Sequence, residues 1–368
     1  MKAKIAFLHK PYDLRIEEVE LSELKSNQIL IKVKACGICG SDVECFIGKS
    51  AEGRYDIAPY TPGHEWAGQI VEIGSNVTTF KVKDKVTGDC VLDCGYCHNC
   101  KAGKMPSACE NMRETGFRPD SPGGMGEYLI MEERYAHKLP DEWSYEEGAL
   151  VEPFSVGYFG IWGNDGYVDA SDTVIIFGAG PIGLSALIVA KTARARVVII
   201  EPFKNRRDLA FKLGADEVVD PTACNLKETI TKLTDGLGGS VVVEASGNDN
   251  AIASIFDVAG HSARIRLIGH SVGRKIPVEI GLTIWKTLAI TGSGGIKNFM
   301  PRTIRFMERI RNEFDFKALI SHRYPFKEIN KAFDKTVNDK KNAYKVMLKF
   351  YNKLFNFGLN NEYFLSDS

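Results

Sequence analysis

The chain has 368 residues, enough for two domains that each bury a core of their own. Its 47 basic and 47 acidic side chains cancel, which excludes a broad electrostatic attraction to nucleic acid or an anionic membrane and leaves a small molecule as the expected partner. The first ten residues contain an apolar run of only four, Ile5 to Leu8, too short for a secretory leader. A cytoplasmic location is therefore expected, with the nine cysteines serving metal or redox chemistry rather than disulfides.

In chain order, Ile29-Leu-Ile-Lys-Val-Lys-Ala35 alternates apolar with charged residues and predicts a half-buried strand. Gln69–Gly74 and Val82–Val86 continue that pattern, so the first third reads as β-rich. Within it stand Cys36-Gly-Ile-Cys39-Gly-Ser41-Asp42 and Pro62-Gly63-His64-Glu65-Trp66-Ala-Gly68. A thiolate, an imidazole and a carboxylate suit zinc, whose catalytic sites use about three protein ligands and keep one position open. Cys39, His64 and Glu65 would supply that set; the bland alternative is a Cys36/Cys39 redox pair beside a solvated His-Glu pair. Next comes Cys94-Gly-Tyr-Cys97-His-Asn-Cys100, with Cys109 further on. Thiols at every third position wrap a tetrahedral ion more readily than they bridge one another, which predicts a closed, structural zinc site in a lobe at about 90–112. His98 would point outward, and Cys45, Cys90 and Cys224, lacking partners at ligand spacing, read as buried free thiols. Glu152, set among apolar neighbours in Leu150-Val-Glu152-Pro153, is a candidate further ligand to the first ion, against an ordinary helix-start glutamate.

From about 155 strands alternate with helical stretches, at Thr173–Phe177, Arg196–Ile200, Glu217–Val219, Val241–Ala245, Arg264–Ile268 and Leu288–Thr291, the rhythm of a Rossmann-type, doubly wound parallel sheet in an α/β fold. Thr173–Ala190 carries no charge and approaches membrane-spanning length, but Gly178-Ala-Gly180-Pro181-Ile182-Gly183 breaks it into strand, turn and helix. In that context Gly178 permits the turn, Gly180 lets backbone approach a pyrophosphate and Gly183 packs helix on strand. Glu201 closes the next strand, where an acid accepts from ribose hydroxyls and repels a 2′-phosphate, favouring NAD over NADP. Lys204 and Arg206 stand nearby with charge that could reach a phosphate. Beyond 292 an amphipathic helix is expected over about Pro301–Glu313, then Ala332–Lys341 and a strand over Lys345–Phe350, returning to the character of the first third.

These motifs, together with the late Gly292-Ser-Gly-Gly and Pro301-Arg302-Thr303, resemble the zinc-dependent medium-chain alcohol dehydrogenases, and within them the polyol (sorbitol or iditol) and threonine dehydrogenase branch. The resemblance implies a GroES-like catalytic domain at 1–154 and 293–350, an inserted cofactor domain at 155–292, and an appendage at 351–368. It implies one catalytic and one structural zinc per chain, NAD as hydride acceptor, and a cleft between the domains as active site. Cys39 and His64 would hold the catalytic ion, Glu65 and Glu152 would be its acidic partners, and Ser41 would pass the alcohol's proton outward unless it merely caps a loop. Gly178, Gly180, Pro181, Ile182, Gly183, Glu201 and Arg206 would meet the cofactor. Two departures fall on the expected substrate side: Glu44 stands where the family usually has a histidine, and Gly123-Gly124-Met125-Gly126-Glu127 replaces a Gly-Gly-Phe-Ala-Glu loop. The expected substrate is a polyol, cyclitol or sugar alcohol. The alternative is an L-threonine-type amino alcohol, held by Arg113 or Arg118, and more remotely a non-catalytic NAD-binding scaffold. A homo-oligomer, dimer or tetramer, is expected, with no nucleic-acid or membrane partner.

Overall fold

The computed structural model describes residues 1–49, 58–163, 167–269, 273–294 and 299–351. Strands β1 (Lys2–Lys10) and β2 (Asp13–Glu20) pair as an antiparallel hairpin. The alternation first noticed at Ile29 belongs to β3 (Gln28–Ile38), which runs into the short helix α1 (Gly40–Phe46). After it come β4 (Glu65–Ile73), β5 (Lys85–Gly88) and β6 (Val91–Leu92), then α2 (His98–Lys101), β7 (Arg113–Glu114), β8 (Tyr128–Glu132) and β9 (Ala136–Lys138). Helices α3 (Tyr145–Ala149) and α4 (Val151–Trp162) follow.

The second half is a parallel sheet built from β10 (Thr173–Phe177), α5 (Pro181–Thr192), β11 (Arg196–Ile200), α6 (Lys204–Lys212), β12 (Glu217–Val219), α7 (Leu226–Leu233), β13 (Gly239–Glu244), α8 (Asp249–Val258), β14 (Ala259–Leu267), α9 (Gly281–Trp285) and β15 (Ala289–Gly292). Its order, β12-β11-β10-β13-β14-β15, is that of a doubly wound dinucleotide-binding fold. The three central strands β10, β11 and β13 are almost wholly buried runs of Val and Ile, as a sheet covered by helices on both faces requires. The uncharged run Thr173–Ala190 is β10, a glycine loop and α5, and among the described residues no helix is long and apolar enough to cross a membrane.

The chain then returns to the first sheet. Helix α10 (Phe299–Ile310) packs on α4, and β16 (His322–Pro325), α11 (Ile329–Asn338) and β17 (Val346–Lys349) follow. β17 pairs antiparallel with β3, opposite β4, giving a sheet ordered β16-β17-β3-β4-β5-β9 with β8 also on β3. One apolar core, including Ala35, Ala67, Phe154, Val174, Leu187 and Met347, runs between the two sheets through α3, α4 and α10. The region from 352 onward, where an appendage is expected, lies outside the described residues, as does Gly295 of the late glycine run.

Candidate metal centres and cofactor loop

The four cysteines of the lobe converge. Sγ separations are 3.4 Å for Cys97–Cys100, 3.9 Å for Cys94–Cys100 and 4.0 Å for Cys97–Cys109. Tetrahedral bonds of about 2.3 Å ask for sulfur–sulfur distances near 3.8 Å, so the set fits one ion without rearrangement. Backbone N–H groups donate to the sulfurs: Cys97 to Cys94 (3.4 Å), Cys100 to Cys97 (3.5 Å), Cys94 to Cys109 (3.3 Å) and Asn111 to Cys109 (3.4 Å). Such donors favour thiolates. Burial works against ionisation of Cys94, yet the N–H groups of Tyr96 and Cys97 bring it down to about 6. His98 is exposed, as expected, and all nine cysteines are free of disulfides.

The second centre forms where β3 ends and β4 begins. One donor atom each from Cys39, His64 and Glu65 lies within 4.8 Å of the others, and His64, Glu152 and Cys90 satisfy the same condition. Cys39 caps the start of α1, and Asp42, in that helix's first turn, ties the two halves of the motif together. Its Oδ2 accepts from Cys39 N (2.9 Å), its Oδ1 accepts from Gly63 N (3.2 Å), and it stands 3.9 Å from His64 Nδ1. Burial raises the Asp42 pKa; burial lowers that of His64, but Cys39 and Asp42 overcome it and hold the imidazole well above its usual range. Glu152 is pushed up to about 7, chiefly by burial. Carboxylates and a thiol thus stand around one buried imidazole, a donor set that suits a divalent cation. The donors and their charge therefore fit zinc.

Glu65 has a further partner that the sequence did not reveal. Lys345, just before β17, donates to both of its carboxylate oxygens and to Ile38 O (3.2 Å), with lysine and glutamate side chains 4% and 2% exposed. Gly37, opposite Glu65 on β3, makes room, since a Cβ there would collide with the carboxylate. Cys36, by contrast, is packed in the β-rich core. Ser41 and Glu44 lie one turn apart on α1, both half-buried. Of the three thiols expected to be buried, Cys45 is, Cys90 is half-buried beside His64, and Cys224 is exposed on a loop, where its Sγ–H reaches Asp220 O (3.3 Å).

The glycine loop has the shape its motif demands. Gly178 has φ +96°, and a Cβ on Gly183 would clash with the Gly178 carbonyl, whereas a Cβ on Gly180 would meet nothing within 4 Å. That open space at the start of α5, with Pro181 and Ile182 in its first turn, is where a pyrophosphate can approach backbone N–H groups. Glu201, 3% exposed, accepts from Ala179 N (2.8 Å) and Phe203 N (3.0 Å), bracing the loop. Arg206 is engaged elsewhere: its guanidinium donates to Lys340 O and lies over the rings of Phe203 and Tyr344. Metal centre and loop are linked by α4, which carries Glu152 in its first turn and whose Gly157 lies against the Ile182 carbonyl, too close for a Cβ.

The substrate-side expectation for Met125 needs correction. That side chain is fully buried in the β-rich core, and its loop is stitched to the metal motif by Gly124 N to Gly63 O (2.6 Å) and Met125 N to Pro62 O (3.0 Å), so it fixes the turn that leads into His64.

A doubly wound sheet with an open glycine loop, beside a half-buried cysteine and a buried imidazole and carboxylate, defines a zinc-dependent, nicotinamide-linked oxidoreductase. Comparison with known proteins agrees. Residues 25–141 match the alcohol dehydrogenase GroES-like domain and 181–309 the zinc-binding dehydrogenase model. The chain is 34% identical over 356 residues to a scyllo-inosose 3-dehydrogenase of Thermotoga maritima, covering 89% of this chain and 88% of that one. It is 30% identical over 344 residues to an L-threonine 3-dehydrogenase of Idiomarina loihiensis, covering 92% and 97%. A solved Escherichia coli oxidoreductase of unknown specificity superposes with a TM-score of 0.88 at 29% identity, covering 96% and 100%. The chain belongs to the zinc-dependent medium-chain alcohol dehydrogenases, in their polyol and threonine dehydrogenase branch.

Proposed function

We propose that this enzyme oxidises a secondary hydroxyl flanked by others, in a linear or cyclic polyol, with NAD. When bound, zinc supplies Lewis acidity toward the alcohol oxygen and the nicotinamide accepts a hydride. Cys39, His64 and Glu152 would hold the ion, with Glu65 beside them, and Ser41 would carry the alcohol's proton outward from the first turn of α1. Gly178 to Gly183 would seat the pyrophosphate and Glu201 the adenosine ribose. The catalytic part would comprise 1–154 and 293–350, with 155–292 as the inserted cofactor part and the site between them.

The observation that carries the choice of substrate is the state of the cations. Arg113 pairs with Glu132 (3.1 Å) and Arg118 with Asp120 (3.0 Å), and Lys345, the lysine inside the site, is held by Glu65. A threonine carboxylate would need a dedicated, preferably bidentate, cation. Glu44, one turn from Ser41, would accept from vicinal hydroxyls and repel a carboxylate. The test is kcat/KM for sorbitol, myo-inositol and L-threonine with NAD at one pH, beside Glu44→His. Polyols should lead in the wild type; if threonine leads, the amino-alcohol reading replaces this one.

A second copy of the chain is the proposed protein partner, in the cytoplasm. β15 is the last strand of its sheet, and Ile280, Ile284 and Trp285 beside it are 66%, 84% and 74% exposed, an apolar edge that self-association would cover. Sedimentation should give a dimer or tetramer, and a monomer at micromolar concentration would refute it.

A further inference from the structure

Two donor sets overlap at His64: Cys39 and Glu65 complete one, Cys90 and Glu152 the other. The first is compromised at its third member, because Lys345 donates to both oxygens of Glu65 in a pair sealed from water. A cation approaching the same oxygens would meet an ammonium at short range, where weak dielectric screening makes like charges costly. In the second set Lys345 acts on Glu152 only at longer range, and the lysine's direct contacts are with Glu65 and the Ile38 carbonyl. The chemistry of that set is again a sulfur, an imidazole and a carboxylate.

The position of Cys90 is fixed by the fold. It lies between β5 and β6 at the root of the four-cysteine lobe, and its carbonyl accepts from Thr115 N (2.8 Å) on the far side of that lobe. The half-buried sulfur is thereby held where its distance to a His64 nitrogen and a Glu152 oxygen suits a common metal ion.

We propose that Cys90 is a displaceable ligand of the catalytic ion: at rest its thiolate joins His64 and Glu152, Cys39 closes in from the overlapping set, and an incoming hydroxyl takes the place of Cys90. This rests on the catalytic-zinc reading above. It explains how a site meant to stay open can be closed before substrate arrives, and it gives the lobe a second duty, that of placing a donor for the other ion. Two sulfurs, one imidazole and one carboxylate would complete a tetrahedral shell once the two sets, which meet at His64, close on one ion.

The experiment loads cobalt(II) into the catalytic position with zinc kept in the lobe, and counts sulfur neighbours by X-ray absorption at the cobalt edge. Wild-type protein should show two sulfurs at rest and one after saturation with imidazole, a neutral competing ligand. One sulfur at rest overturns the proposal, and two that persist with imidazole bound overturn the displacement. No sulfur at all would instead overturn the catalytic-zinc reading, so the two failures are distinct. In Cys90→Ser the near-ultraviolet thiolate-to-cobalt band should fall to about half as one of two thiolates is lost, and the ion should leave to a chelator faster. An unchanged band and release rate would count against Cys90, while Cys39→Ser, which removes a sulfur in either case, is the control. Should Cys90→Ser fail to fold, the sulfur count on wild-type protein decides alone.

Discussion

Glu201 is braced from within: its two oxygens accept from Ala179 N and Phe203 N, so the carboxylate that would meet the ribose also shapes the loop that would meet the pyrophosphate. Glu201→Ala should therefore do two things. It should narrow the preference for NAD over NADP by about tenfold, equivalent to about 1.4 kcal/mol, as the repulsion of a 2′-phosphate disappears. It should also weaken both cofactors, because two N–H groups lose their acceptor at a cost of about 1–3 kcal/mol. Arg206, engaged with the Lys340 carbonyl, will not rescue NADP. Measured kcat/KM for both cofactors decides, and a ratio unmoved by the change would show that Glu201 does not face the ribose. At this scale the sequence was readable where residue type and spacing coincide. The four cysteines and the Cys39, His64 and Glu65 set come together as their spacing suggested. Cys90 and Lys345 escaped because each has a common, uneventful role, a buried thiol or a surface lysine, and what changes it is a contact with a residue distant in the chain.

Among the elements, α3 carries the main staple between the first sheet and the returning chain. Glu146 accepts from Arg323 Nε (2.9 Å) on β16 and from Lys349 Nζ (2.8 Å) on β17, while Glu147 accepts from Arg311 Nε (2.8 Å) at the end of α10. Burial raises the Glu146 pKa, but Arg323 and Lys349 outweigh it and hold it below its ordinary 4.5. A depressed carboxylate contributes stability that is fully present above about pH 4.5 and is lost as pH falls through the lowered value. Glu146→Gln should cost about 1–2 kcal/mol at pH 7, discounted because Arg323 is 41% exposed, and should flatten the acid limb of the stability curve. Urea denaturation of both proteins at pH 7 and in acid checks this; parallel curves would refute it. The parallel strands were legible because buried Val and Ile runs alternate with helical stretches, and β10, β11 and β12 fall where expected. β14 was harder, since it begins at Ala259 amid exposed His261 and Ser262, where no apolar run announces it. The β character of β1 and β2 shows in their alternation of apolar and charged residues, but their pairing as a hairpin does not.

For the molecule as a whole, the two metal centres predict unequal behaviour. Four sulfurs already near tetrahedral spacing would enclose one ion, whereas the proposed catalytic centre would have to give a position to substrate. Freshly purified protein should contain two zinc ions per chain. A mild chelator should remove one together with activity and leave the circular dichroism spectrum intact, and Cys100→Ser should lose the other with a fall in thermal stability. Protein isolated with one tightly held metal, or none, would contradict the two-site arrangement. Two separate sheets were legible from the change of periodicity in the sequence. That a single core, threaded by α4, joins them was not, because apolar residues do not announce which sheet they face.

The bond between Lys345 and Glu65 sets a timetable. The lobe's sulfurs are all present once the ribosome has passed Cys109, so that ion can be captured while most of the chain is still unmade. The fold around the other centre is finished only later, because until Lys345 is made Glu65 has no counter-ion and β3 lacks its β17 neighbour. Catalytic competence is thus among the last properties this polypeptide acquires at its birth, and an abandoned, prematurely ended product would carry metal without being able to use it.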